Sequence, residues 1–225
     1  MHKEDGFIKL ICFFFNFIII YSIAMLFSET YQEIKKNSQA IYKERGSRFI
    51  SYSFIVYNEL EIKKNIEEIK KKENGANHYC YAYRLHPDKS MSRFNDDGEP
   101  NSTAGRPIIK QIEKYDLTNL LIVVVRYFGG VKLGIPGLIR SYRTSAINVI
   151  KESKIITKII KEKYIVVFNH EYMNDVMRII KEHDLEIIDN IFDLNCKITF
   201  LVPKKKSNIV LRHFKKNHNL KITYK

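Results

Sequence analysis

Three carboxylates in four residues, Asp96, Asp97 and Glu99 around Gly98, are the most chemically capable group in this 225-residue chain. Clustered carboxylates can hold a hard cation or supply a general base. The same residues also write a turn, because Asp-Gly tolerates positive φ and Glu-Pro breaks the element that follows. A further reading is an ion-pair staple, in which Asp97 or Glu99 meets Arg106 or Arg126 and orders two loops at once. Turn or staple is the expectation, with ligand contact and catalysis behind it. His78, near this loop, reads as a packed strand residue.

The second group is a concentration of glycine. Six of the nine glycines and three of the five prolines fall between Gly98 and Gly137. Part of that stretch runs from Arg126 through Tyr127, Phe128, Gly129, Gly130, Val131, Lys132, Leu133 and Gly134 to Gly137 and Arg140. Glycine lets a backbone approach another molecule closely, at an entropic cost. That points to Gly129, Gly130, Gly134 and Gly137 as ligand-facing positions. Arg106, Arg126, Arg140 and Arg143 offer planar forks suited to phosphate or carboxylate, although bracing a loop is an equal alternative. Lys132 adds charge, and His78, Asp97, Glu99 and Tyr127 complete the candidate set.

Familiar catalytic patterns fail. A P-loop counted from Gly129 needs Gly-Lys-Ser/Thr where the chain has Gly134-Ile135-Pro136, and GxGxxG, GxSxG and HExxH are absent. His213 and His218, five apart on a lysine-rich helix, read as solvated. No metal or cofactor is expected. Cys12, Cys80 and Cys196 form neither a CxxC pair nor an even set, which fits a reducing compartment.

A net charge of +13 invites a polyanion partner. Lysine is a weak signal here, because the Lys, Ile, Asn, Tyr and Phe bias is what an AT-rich genome imposes. Residues 10–27 are almost continuously apolar and can be read as a membrane span, with the rest of the chain cytoplasmic. The preferred reading is a start at Met25. A membrane is then a partner only if 10–27 are translated, and the location is cytoplasmic.

The elements that must position these groups follow from periodicity. Residues 47–56 read as a strand, 59–73 as an amphipathic helix closed by Asn74-Gly75, and 78–85 as a second strand. A helix from 103 to 114 starts with Thr103 as N-cap. Residues 120–128 are apolar without alternation, the mark of a central strand buried on both faces. A helix from 138 to 152 begins beyond Pro136-Gly137. The tail reads as strand 163–168, helix 171–183, strands 185–192 and 195–202 as a hairpin, helix 203–217 and strand 220–224. That order is the ferredoxin-like β-α-β-β-α-β. The class is α+β, with a leader at 1–27, an N-terminal domain at 28–154, a junction at 155–162 and a C-terminal domain at 163–225.

The loops together resemble the YigZ/IMPACT family. The resemblance rests on Asp96-Asp97-Gly98-Glu99-Pro100, Thr103-Ala104-Gly105-Arg106-Pro107, and Val124 through Gly130 to Leu133-Gly134 and Gly137-Leu138; His78 and Ser47-Arg48-Phe49-Ile50 also fit. It covers about residues 28–154, and the tail is similar to the second domain of bacterial members. Departures are Ser102 in place of glycine, Ile135-Pro136 in place of a more glycine-rich turn, and Arg143-Thr144-Ser145 where many relatives have glycines. The resemblance implies a first domain like domain 2 of ribosomal protein S5, and a domain pair like the last two of the translocation elongation factor. It also implies a cytoplasmic role touching translation, which eukaryotic members regulate under amino-acid stress through a protein partner.

Three functions therefore stand. The first is a non-enzymatic ribosome- or RNA-binding module that uses the glycine-arginine loops, helped by the basic helix 203–217. The second is an adaptor whose arginines meet an acidic protein partner. The third is an enzyme built on the Asp96–Glu99 loop.

Overall fold

The computed structural model describes residues 29–225, so the apolar segment 10–27 and Met25 lie outside the described residues. The chain divides into two compact units, 30–158 and 159–225 together with Glu29. Among the described residues no helix is long and apolar enough to cross a membrane.

The first unit is built on a five-stranded antiparallel sheet. Its strands are β2 (Ser38–Glu44), β3 (Ser47–Ile55), β4 (His78–Leu85), β5 (Met91–Asn95) and β6 (Leu120–Tyr127), in the order β2-β3-β6-β4-β5. The non-alternating run Leu120–Val125 is the central strand, completely buried. Leu120, Ile122 and Val124 join the core under α2 (Gly105–Lys114) and α3 (Gly134–Ser153), beside Ile108, Ile112, Leu138 and Ala146. Leu121, Val123 and Val125 point the other way, to Ile62 and Ile69 of α1 (Glu59–Lys72). Each buried aliphatic side chain contributes about 1.5–3 kcal/mol, so a polar residue in this run would be costly on either face. β1 (Thr30–Ile34) and β7 (Ile155–Ile159) make a separate two-stranded sheet.

The second unit follows β8 (Lys161–Phe168), α4 (Met173–Glu182), β9 (Glu186–Phe192), β10 (Cys196–Pro203), α5 (Ser207–Lys215) and β11 (Lys221–Tyr224). Its antiparallel sheet has the order β11-β8-β10-β9. Short 3₁₀ turns, His170–Tyr172 and Lys204–Lys206, precede the two helices.

Several boundaries differ from expectation. α3 starts at Gly134, a turn earlier than 138, because Pro136 falls in the first turn, where its missing N–H costs nothing. α2 starts at Gly105, and Thr103 is not its cap: Thr103 Oγ1 donates to the Pro100 carbonyl at 2.6 Å. Strands β2 and β5 went unread because they are edges, with half-exposed or exposed side chains and no apolar run.

Candidate functional site

The acidic loop leaves β5 at Asn95 and turns at once. Asp97 (φ 44°) and Gly98 (φ 84°) occupy the left-handed region, and Glu99 N–H donates to the Asp96 carbonyl at 2.9 Å. Two positive-φ residues inside an i→i+3 bond make a type I′ turn. Its carboxylates face inward. Asp96 Oδ1 accepts from Ala104 N–H (3.0 Å) and Gly105 N–H (2.8 Å), and Oδ2 accepts from Ser102 N–H (2.9 Å). Asp96 therefore caps α2 from eight to nine residues upstream, the role expected of Thr103. Asp97 Oδ2 accepts from Tyr79 N–H at 2.7 Å, and His78 Nδ1 lies 2.8 Å from the Asp97 carbonyl, bracing the turn on β4. Ser102 is itself at φ 62°, a conformation that glycine adopts at no steric cost.

One prediction arises here. Asp96→Ala strands three backbone donors at a helix start and lowers the stability of this unit by about 2 kcal/mol, the upper end of a capping loss. Thr103→Ala costs less. Urea denaturation of both variants checks the ranking; equal losses would overturn it.

Glu99 makes the staple. Arg126 Nη1 donates to Glu99 Oε1 at 2.6 Å, and Tyr142 OH donates to the same oxygen at 2.8 Å. The Arg126 and Glu99 side chains are 7% and 3% exposed. The guanidinium carbon lies 5.6 Å from the ring centres of both Phe49 and Phe128, at cation–π distance. Pairing Glu99 with Arg126 was one of the staples the sequence allowed, and it ties the acidic loop to the end of β6. Of the two readings of Arg126, ligand contact and loop brace, its burial and the Glu99 pair have the geometry of the brace. Burial raises the Tyr142 hydroxyl well above its ordinary range and raises the Cys80 thiol likewise. A buried thiol so shifted is inert.

The glycine loop does two different jobs. Gly129 lies flat on the β2–β3 turn, where an added Cβ would sit 1.9 Å from the Gly46 carbonyl carbon, and its N–H donates to Ser47 Oγ at 3.2 Å. Its close approach is to the protein's own backbone. Gly137 is buried at the start of α3, against Leu133. Gly130 and Gly134 are exposed at positive φ. Between the loops lies a cleft of about 300 Å³ lined by Glu99, Arg126, Phe128, Lys132, Ile135 and Leu138. Phe128, Val131 and Ile135 are each about half exposed. Among the described residues no side chain caps the N-terminus of α3, whose first turn presents the amides of Gly134 and Ile135 ahead of Pro136.

The candidate residues thus separate. Glu99, Arg126, Lys132 and Gly134 share the cleft, while His78 and Asp97 brace the acidic turn. Tyr127 belongs to the opposite sheet face, where its hydroxyl donates to Glu73 Oε2 at 2.9 Å and Arg48 stacks on its ring. Among the described residues, Arg106, Lys132 and Arg143 are exposed and in no ion pair, whereas Arg140 lies 3.3 Å from Glu44. Sequence reading missed Tyr142, Gly46 and the capping role of Asp96. The spacing Leu138, Tyr142, Ala146 marks one buried helix face and was the available signal for Tyr142.

The first unit is thus a helix-covered antiparallel sheet whose two conspicuous loops are joined by one buried ion pair, followed by a second α/β unit. Residues 45–150 match the Impact N-terminal domain, and the chain is similar there to curated IMPACT family members. It is 44% identical over 99 residues to the IMPACT family member YvyE of Bacillus subtilis, covering 44% of this chain and 46% of that protein. With YigZ of Escherichia coli it shares 36% identity over 100 residues, covering 44% of this chain and 49% of YigZ. The matched chain thus spans about half the length of these relatives. An IMPACT family member of Haemophilus influenzae aligns at 27% identity over 172 residues, 75% of this chain and 84% of its own. A crystal structure of a hypothetical protein shares the fold, with a TM-score of 0.69 at 24% identity over 87% of this chain and 97% of its own.

Proposed function

We propose that this protein is a non-catalytic, translation-associated regulator that binds the ribosome or RNA through the outer rim of its glycine loops. One observation carries the reading: the loop carboxylates are consumed by internal bonds, so the outward charge of the rim is positive. Lys132 stands beside the uncapped start of α3, and Arg106 and Arg143 are exposed and unpaired. Free helix amides beside cations favour phosphate. Translation comes from the family, whose eukaryotic members regulate it, and a cytoplasmic location follows from that role. We read the first unit as ribosomal protein S5 domain 2-like and the second as ferredoxin-like, its element and sheet order being those of that fold.

The test is ribosome co-sedimentation of the full chain across a salt series, beside Lys132→Ala/Arg143→Ala. Pelleting of the parent is expected to weaken with salt, and the variant to flatten the log–log slope by about two, one for each lost phosphate contact. Arg126 is unsuitable for this purpose because its loss damages the core. Equal slopes would remove the rim from the interface.

A protein partner is the second reading, favoured by Phe128, Val131 and Ile135, which stand half exposed around the cleft. A defined protein retained on the bound chain after nuclease treatment, and released by Phe128→Ser, would support it over RNA. The enzyme reading keeps little support, because Asp96, Asp97 and Glu99 all accept internal hydrogen bonds.

A further inference from the structure

The second unit holds a cluster of ligating side chains away from the glycine loops. Glu182 ends α4, His183 caps it, and His213 lies in the last turn of α5. Thirty residues apart in sequence, the two histidines meet because α4 and α5 pack on the same sheet through Val176, Ile180, Val210 and Phe214. His183 Nε2 lies 2.7 Å from His213 Nδ1, and Glu182 Oε1 lies 3.8 Å from the same nitrogen. One ligating atom from each residue falls within 4.8 Å of the others.

We propose that Glu182, His183 and His213 form a zinc site that fastens the end of α4 to the end of α5. Two zinc–nitrogen bonds of about 2.0–2.1 Å at a tetrahedral angle place their nitrogens about 3.3 Å apart. The observed separations of 2.7 and 3.8 Å straddle that value. The third separation, between Glu182 and His183, lies within 4.8 Å, so the Glu182 carboxylate must swing inward to complete the set. The side chains have room to move, His213 being 29% and Glu182 50% exposed. Two imidazoles with one carboxylate are a nitrogen-rich, borderline set that suits Zn²⁺ over Mg²⁺ or Ca²⁺.

The field at the site agrees. Both helices end there, and helix C-termini carry partial negative charge that favours a cation. A groove of about 370 Å³ opens beside the cluster, lined by Asp175, Arg178, Glu182, His213 and Lys216. Arg178 Nη2 lies 3.4 Å from Asp175, which offsets its charge, while Lys216 and the last-turn Lys181, Arg212 and Lys215 oppose a cation. Three protein ligands leave a fourth position for water, the pattern of an open zinc site. A plain hydrogen bond between the two imidazoles accounts for the 2.7 Å contact, and leaves the Glu182 carboxylate 3.8 Å away with no hydrogen bond to either ring.

Calorimetric titration of the metal-free full chain with Zn²⁺, and absorption titration with Co²⁺, test the site. The expected result is saturation at one equivalent, with visible tetrahedral Co²⁺ bands that Zn²⁺ displaces. His183→Gln and His213→Gln each weaken binding by at least about tenfold, and His218→Gln leaves it unchanged. If the variants fail to fold, the ring resonances of His183 and His213, and not those of His78, His86, His170 or His218, must shift when Zn²⁺ is added to the parent. Absence of saturable binding, or unchanged binding in the folded double variant, overturns the proposal.

Discussion

Arg126→Met is expected to lower the stability of the first unit by about 3–5 kcal/mol, the cost of leaving one partner of a buried ion pair alone. The Glu99 carboxylate would keep only the Tyr142 hydroxyl as donor, in a site where its side chain is 3% exposed. Removing both charges is far milder. Glu99→Leu/Arg126→Met should recover most of the loss, because an apolar pair of similar volume needs no desolvation of charge. The remainder, about 1–3 kcal/mol, is the Tyr142 hydroxyl left with only the weakly accepting Cys80 sulfur, 3.3 Å away. Adding Tyr142→Phe should remove that remainder too. Urea unfolding of the single, double and triple variants measures the series. A loss below about 1 kcal/mol in the single variant would mean that water reaches the pair and that it behaves as a surface contact.

That series also bears on the cleft. Arg126 Nε is buried with no hydrogen-bond partner, and its guanidinium is held near Phe128 at the cleft wall. The arginine acts on the cleft by fixing Glu99 and Phe128. Loss of ribosome or partner binding in Arg126→Met therefore reports a loosened loop, whereas loss in Lys132→Ala/Arg143→Ala reports a lost contact.

Much of this was legible in the sequence, for identifiable reasons. An apolar run without alternation, Leu120–Val125, can only be a strand covered on both faces. Asp97-Gly98 supplies positive φ, so a turn there follows from local sterics, while charge allowed a staple from Asp97 or Glu99 to Arg106 or Arg126 and only the fold selects Glu99 with Arg126. What stayed hidden depends on distance. Asp96 caps α2 from eight and nine residues away, so the near candidate Thr103 was preferred on spacing. Edge strands β2 and β5 bury too little to leave an apolar pattern. His213 was compared with His218, its neighbour in sequence, while its partner in space is His183. Arg126 looked like its neighbours in composition; only the register, with Phe49 and His78 on the flanking strands, puts it inside.

Gly129→Ala is expected to be among the most damaging single-methyl changes in the first unit, by about 4 kcal/mol or more. The new Cβ would lie 1.9 Å from the Gly46 carbonyl carbon and 2.2 Å from Ser47 N. All of those are backbone atoms, which cannot rotate away as a side chain would. Relief requires the β2–β3 turn to separate from the end of β6, which also breaks the 3.2 Å bond from Gly129 N–H to Ser47 Oγ. Gly130→Ala is the control one residue on. Its Cβ would meet no atom within 4 Å, and only its φ of 84° opposes a side chain. That conformational cost is about 1–2 kcal/mol. The pair thus separates close packing from backbone strain at adjacent positions in one loop. Comparable losses in the two variants would mean that the loop yields as a whole and that the Gly46–Gly129 contact is not what seats it.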